Sequence, residues 1–525
     1  MDKAILEAAQ AAFRSGGSTL TLGALVHAGE CHADPIAALP LAMANRHGLI
    51  AGATGTGKTK TLQLLAEQFS AAGVPVFLAD LKGDLSGLSM PGEASERVNQ
   101  RAKDTGYTWK ASGCPVEYLS LTGKGGAQLR ATVSSFGPLL LARVLGLNET
   151  QSSVLSMVFK YADDQKLALL DLSDLRAVLQ YLSGEGAEQL ANYGGMSKAS
   201  VGVLLREMVE LEQQGAGAFF GEPEFDLDDL LVQRDGKGLV SVLSLRDVQD
   251  KPGLFSTFMM WMLARLYAEL PEVGDVDRPK LVFFFDEAHL LFDDASKEFL
   301  DQVEQVVRLI RSKGVGVWFV TQSPKDVPAD ILGQLGNRVQ HALRAFTPDD
   351  EKALRAAART FPKTDFYDVE ETLTTLGIGE AFVTVLAPNG APTPPFAVRM
   401  IPPASRMGPL SEGELVSALA ASEQVREYAN AVDRESAREL LAQRMGGAPA
   451  AAAPAPVQPS GVPPVAPDPP DPGARAAETV AGAAAMVGAA LNSPLGRQVA
   501  RTVVSSVTRG LLGALLGSPP RRRRR

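Results

Sequence analysis

Apolar residues recur along most of this chain in two alternating rhythms. Short runs that are apolar on both faces alternate with longer segments in which apolar residues return every three or four positions. The first run, Leu49-Ile50-Ala51, predicts a strand. The segment 58–70, with Leu62, Leu65 and Phe69 on one face, predicts a helix. A second strand is predicted at 74–80, ending in Asp80. Residues 140–230 read as mainly helical, with apolar residues at helical spacing over 154–170, 172–182 and 200–213. Strands follow at 238–245, 281–285, 315–321 and 339–344, interleaved with helices at 255–270, 298–313 and 349–359. The segment 379–386 suggests a last strand or hairpin. Ahead of all this, 4–13 reads as helical and 20–26 as a brief strand or helix. Repeated strand–helix alternation implies an α/β fold with a mostly parallel sheet.

The rhythm also divides the chain. Residues 1–45 form a short lead-in, and 46–400 carry the alternating core with 140–230 as a helical insertion. Residues 401–445 form a helical extension, with helices expected at 411–419 and 422–444. Residues 446–475 form an alanine- and proline-rich linker without periodicity. The end, 476–525, is a glycine- and alanine-rich amphipathic tail, disordered or weakly ordered, that closes on Arg521 to Arg525.

Charge and composition narrow the chemistry only slightly. The formal net charge of -9 argues against a protein coated in basic surface. It leaves room for one basic face or channel. Two cysteines, Cys31 and Cys114, support neither a disulfide scaffold nor a metal cluster. The apolar run 255–270 is short for a membrane span and is interrupted by Arg265 and Glu269. A cytoplasmic location is the default expectation.

The chemistry begins where the first strand ends. Residues Gly52-Ala53-Thr54-Gly55-Thr56-Gly57-Lys58-Thr59 match G-x-x-x-x-G-K-[ST], a loop that wraps phosphate oxygens with backbone amides at the positive end of a helix. Lys58 is expected to reach the β- and γ-phosphates of ATP, and Thr59 to ligate Mg²⁺. The strand 281–285 leads into Asp286 and Glu287, a Walker B arrangement. Asp286 would hold Mg²⁺, and Glu287 would orient and polarise the attacking water. The same acids could instead cap the next helix. His289 is as readily a packing residue as a catalytic one. Gln322, leaving the strand 315–321, can donate to the γ-phosphate or its water; a plain strand-end hydrogen bonder is the bland alternative. Asp80-Leu81-Lys82-Gly83-Asp84 could hold the phosphate region, signal to a neighbour, or be a solvated turn. Arg338 and Arg344 flank a strand and are candidates to neutralise transition-state charge. Their spacing does not choose between a site completed within one subunit and one completed by a neighbour.

Taken together, the phrases 44–59, 219–223, 283–292 and 333–341 resemble the HerA-like, FtsK-related P-loop ATPases, in particular the bacterial HerA-type helicase-like branch with a HerA-like C-terminal domain. The resemblance covers about residues 10–400 and returns faintly at 496–513. It implies a RecA-like core assembled as a hexameric ring, with double-stranded DNA moved through a central pore. On that pattern Gln322 is the glutamine sensor and Arg344 the strand-end arginine. Archaeal members open with a substantial β-barrel, for which the residues before the core leave little room. A reading from another class also fits: a nucleotide-gated scaffold that recruits partners through its tail. The tail itself could contact DNA, an anionic membrane surface or another protein.

Overall fold

The computed structural model describes residues 3–292, 297–432 and 434–445. The expectations for the linker and the arginine-ended tail lie outside the described residues. The chain divides into two compact units. Among the described residues, one comprises 3–131, 142–148 and 203–432, and the other comprises 132–141, 149–202 and 434–445.

The first unit is built on strands β1 (Thr19–His27), β2 (Glu30–Pro40), β3 (Gly48–Ala51), β4 (Val76–Asp80), β5 (Val116–Ser120), β6 (Ala127–Gln128), β7 (Gln233–Arg234), β8 (Lys237–Gly238), β9 (Val240–Ser244), β10 (Leu281–Phe285), β11 (Val315–Thr321), β12 (Asn337–His341), β13 (Glu380–Thr384) and β14 (Phe396–Met400). Among the described residues, twelve of these form one sheet in the order β2-β1-β14-β13-β12-β3-β11-β10-β4-β9-β5-β6. Every pairing from β12 through to β6 is parallel. The pairings from β12 out to β2 are antiparallel. The mostly parallel α/β architecture expected from the alternation is therefore present.

The central strands are continuously apolar because they are buried along their whole length: each residue of β3, β4, β10 and β11 is enclosed. Packing there is close. Trp318 lies beside Gly48 in register, and a Cβ on Gly48 would fall 2.4 Å from the indole ring, so only glycine fits. The antiparallel edge is different. β2 opens Glu-Cys-His-Ala-Asp-Pro, and its pairing with β1 is irregular between Thr21 and Gly23 and again between Ala24 and Leu25. Edge strands tolerate charge and proline, so periodicity alone did not reveal this strand.

Parallel strands aim their carboxyl ends at one edge of the sheet. Here that edge collects the ends of β3, β4, β10, β11 and β12. Because β11 lies between β3 and β10, the acids after β10 stand one strand away from the loop after β3.

Among the described residues, no helix is long and apolar enough to cross a membrane. The helix Pro252–Glu269 comes nearest in length. Its Arg265 is buried, bonded to Glu224 and Glu269, and set 5.4 Å from the Trp261 ring centre.

The second unit is helical, with Glu149–Asp164 and Leu172–Ser183 as its main elements. The single helix expected over 422–444 is instead broken. Glu423–Tyr428 ends in the first unit, and Ser436 caps a new helix, Ala437–Arg444, in the second. The Ser436 hydroxyl and the Arg438 amide both bond to Asp174, which ties that helix to Leu172–Ser183.

Candidate functional site

The loop after β3 is stitched to both neighbouring strands. Gly52 N–H donates to the Thr321 carbonyl at 3.3 Å, and Ala53 N–H to that of Ala342 at 2.8 Å. Gly379 N–H reaches the Thr56 carbonyl at 2.8 Å. At Gly52 the backbone has φ 152°, and a Cβ there would sit 2.5 Å from the His341 Cβ. Thr54 and Gly55 are exposed at the tip. The loop feeds the helix Lys58–Ala71, whose first-turn amides lack intrahelical acceptors as at any helix start. Thr59 stands in that turn.

Lys58 is only 8% exposed. Its ammonium donates to the carbonyls of Gly52 at 2.6 Å and Ala53 at 3.2 Å. Burial lowers its pKa, opposed by the negative charge of Glu287. Across the gap, Asp286 is 7% exposed, and its Oδ2 has no hydrogen-bond partner. Burial, followed by the charge of Glu287, raises the Asp286 pKa to about 7. The carboxylates of Asp80, Asp84 and Asp286 approach within 4.8 Å of one another. The Gly83 and Leu85 amides donate to Asp80 at 2.7 and 3.1 Å, yet burial still raises its pKa to about 6.

Glu287 is 4% exposed and has φ 51°, in the left-handed region uncommon for a residue with a side chain. Burial opposes its charge, but the Lys82 ammonium bonded to Oε1 outweighs that and holds its pKa below the ordinary glutamate value. Its Oε2 lies 3.4 Å from His289 Nδ1.

Beside the loop is a cavity of about 350 Å³ lined by Ala53, His289, Gln322, Lys325, Arg344 and Leu354, among others. Gln322 and Arg344 are exposed there, and Arg344 makes no ion pair or hydrogen bond among the described residues. Arg338 is placed differently. Its guanidinium donates to the carbonyls of Leu335, Thr360 and Leu332 at 3.3, 2.8 and 3.2 Å. The fold thus brings Lys58, Thr59, Asp286, Glu287, Gln322 and Arg344 to one edge and uses Arg338 to tie backbone segments together.

His341 is a site residue whose role the motif did not announce. Its Nδ1 donates to the Glu380 carbonyl at 2.8 Å, so Nε2 accepts the Thr61 hydroxyl, also at 2.8 Å. The neutral ring pins the loop helix to β12 and β13. Burial pushes its pKa to about 4. Between that value and about 6.5 the unfolded chain binds the extra proton, so this group's stabilisation is full above 6.5 and is lost as pH falls to 4. Asp286 and Asp80 act with the opposite sign, because their folded pKa values are raised. The measurement is therefore a difference. The stability gap between wild type and His341→Gln, from denaturant unfolding, should narrow by on the order of 3 kcal/mol from pH 7 to pH 4. A gap independent of pH would contradict the neutral, doubly bonded ring.

The Helicase HerA-like C-terminal family matches residues 27–524. The chain belongs to this family. A curated relative, the Probable helicase MJECL08 of Methanocaldococcus jannaschii, is 26% identical over 154 residues; the match spans 27% of this chain and 28% of that protein. Among solved structures, the plasmid coupling protein TrwB in complex with ADP and Mg²⁺ superposes with a TM-score of 0.50 at 16% identity, over 75% of this chain and 91% of that one. TrwB in complex with the non-hydrolysable ATP analogue ADPNP gives the same score and identity, over 76% and 92%. These likenesses give this HerA-like chain the P-loop ATPase fold.

Proposed function

We propose that this protein is a Mg²⁺-dependent ATPase that works as a hexameric ring and moves double-stranded DNA. One observation carries the nucleotide part: a buried ammonium, Lys58, bonded only to loop carbonyls, within electrostatic reach of a buried carboxylate, Asp286, whose Oδ2 lacks any partner. The first is suited to an anion and the second to a cation. A Mg²⁺–triphosphate satisfies both, and the residues present fit it.

In this reading Lys58 exchanges loop carbonyls for phosphate oxygens, while Thr59 and Asp286 hold Mg²⁺. The metal supplies charge neutralisation on the phosphates. Glu287, kept ionised by Lys82, orients the attacking water and accepts its proton. Gln322 senses the γ-phosphate from the cavity wall, and Arg344 is free to meet phosphate charge in its own subunit or a neighbour's. Arg338, held by three carbonyls, would need to break those bonds to take such a role.

The ring and the DNA rest on family membership, together with the resemblance drawn from the motifs. Purified protein should turn over ATP faster with duplex DNA, and the stimulation should fall steeply with added salt as counterions compete for the phosphates. Steady-state turnover across a salt series, with sedimentation of the same samples, checks both. A monomer without DNA stimulation at any salt concentration would overturn the motor reading; a ring without DNA stimulation would favour the nucleotide-gated scaffold.

A further inference from the structure

Lys82 is a cation at the site that the phosphate-binding motifs do not assign. It follows β4, which pairs in parallel with β10, Ala79 opposite Phe285. That register sets the turn after Asp80 beside the acids after Phe285. The turn is itself built: the Gly83 and Leu85 amides are both anchored on the Asp80 carboxylate. From it Lys82, 49% exposed, reaches in to bond Oε1 of Glu287, which is 4% exposed.

Solvated ion pairs contribute little, but here one partner is almost wholly enclosed, so loss of the cation leaves a buried charge without compensation. The other groups nearby do not hold Oε1: His289 Nδ1 stands 3.4 Å from the opposite oxygen, Oε2. Lys58 is engaged with the loop carbonyls, and the same pocket holds Asp80, Asp84 and Asp286. The pair also fixes direction. With Oε1 occupied, Oε2 is left without a hydrogen-bond partner, on the side where His289 lines the cavity. The backbone beneath is set as firmly, with Glu287 at φ 51° and the Ala288 amide bonded to the Val320 carbonyl at 2.8 Å.

We propose that Lys82 is the positioning residue of the Glu287 carboxylate, holding one oxygen so that the other is presented to the water that attacks the triphosphate. The inference rests on the reading of Glu287 as the group that acts on that water.

The test is steady-state ATP turnover by full-length Lys82→Ala, Lys82→Met and Lys82→Arg proteins, with thermal unfolding of each. Misaiming a reacting group costs about 10²-fold in rate. The alanine and methionine variants should lose kcat on that order with KM for ATP near wild type, and should stay folded at the assay temperature although the uncompensated Glu287 charge lowers their melting temperature. Arginine, which can still donate to Oε1, should recover part of the rate. In single-turnover measurements, adding Lys82→Met to Glu287→Gln should cause no further loss. A kcat within about twofold of wild type, a KM that rises in step with the loss of kcat, or an equal loss in both backgrounds would overturn the proposal. If wild type and Glu287→Gln turned over alike, the reading of Glu287 itself would fail, a result distinct from a silent Lys82 beside an essential Glu287.

Discussion

Glu287→Gln is expected to lower ATP turnover by about 10²–10⁴-fold while leaving nucleotide binding in place. The amide keeps the shape of the side chain and loses its capacity to take a proton. It also no longer forms an ion pair with Lys82, so both the chemistry and the aim of the group are removed together. Affinity should hold or rise, because one negative charge is removed from a pocket that already contains Asp80, Asp84 and Asp286. Nucleotide titration with a fluorescent analogue, run beside steady-state turnover, separates the two effects. A variant that hydrolyses ATP within about tenfold of wild type would remove Glu287 from the reaction and return it to the alternative of a helix-capping acid.

The two phosphate-site motifs were legible because each is contiguous: a strand, a turn and a helix start, all within a dozen or so positions. The central strands were legible for a related reason. Burial on both faces leaves uninterrupted runs such as Leu281 to Phe285; β10 and β11 begin and end where their runs do, whereas β4 begins at Val76, inside the run expected over 74–80. Much of what escaped the sequence depends on strands that are distant in the chain. Lys82 stood in a charged cluster with several readings, and only the pairing of β4 with β10 selects Glu287 as its partner. Arg338 and Arg344 looked equivalent as flanking cations. The fold separates them, because three backbone carbonyls surround one while the other lines an open cavity. β2 escaped because an edge strand need not be apolar, and the break after Tyr428 escaped because helical spacing continues across it.

Lys58→Ala should abolish the stabilisation of the protein by Mg²⁺–ATP while leaving the nucleotide-free protein nearly as stable as wild type. The second half of this expectation follows from the loop's own bonds. Removing the ammonium takes a donor from the Gly52 and Ala53 carbonyls, but the Thr56 hydroxyl still donates to Ala53 at 2.6 Å, and the loop remains tied to β11 and β12. Burial already penalises the charged lysine, so its truncation also removes an unfavourable term. The change without ligand should therefore stay within about 1 kcal/mol. With ligand the balance is different. Charge-assisted hydrogen bonds contribute about 1.5–3 kcal/mol each, and the loss of two would weaken binding by about 10²–10⁴-fold. A ligand at a hundred times its dissociation constant stabilises the folded state by about 2.7 kcal/mol, and a variant weakened on that scale would lose nearly all of this. Thermal unfolding of both proteins with and without Mg²⁺–ATP gives the comparison directly. Equal ligand-induced shifts would mean that Lys58 keeps its bonds to the Gly52 and Ala53 carbonyls when nucleotide is present, and that the loop's amides bind phosphate without it.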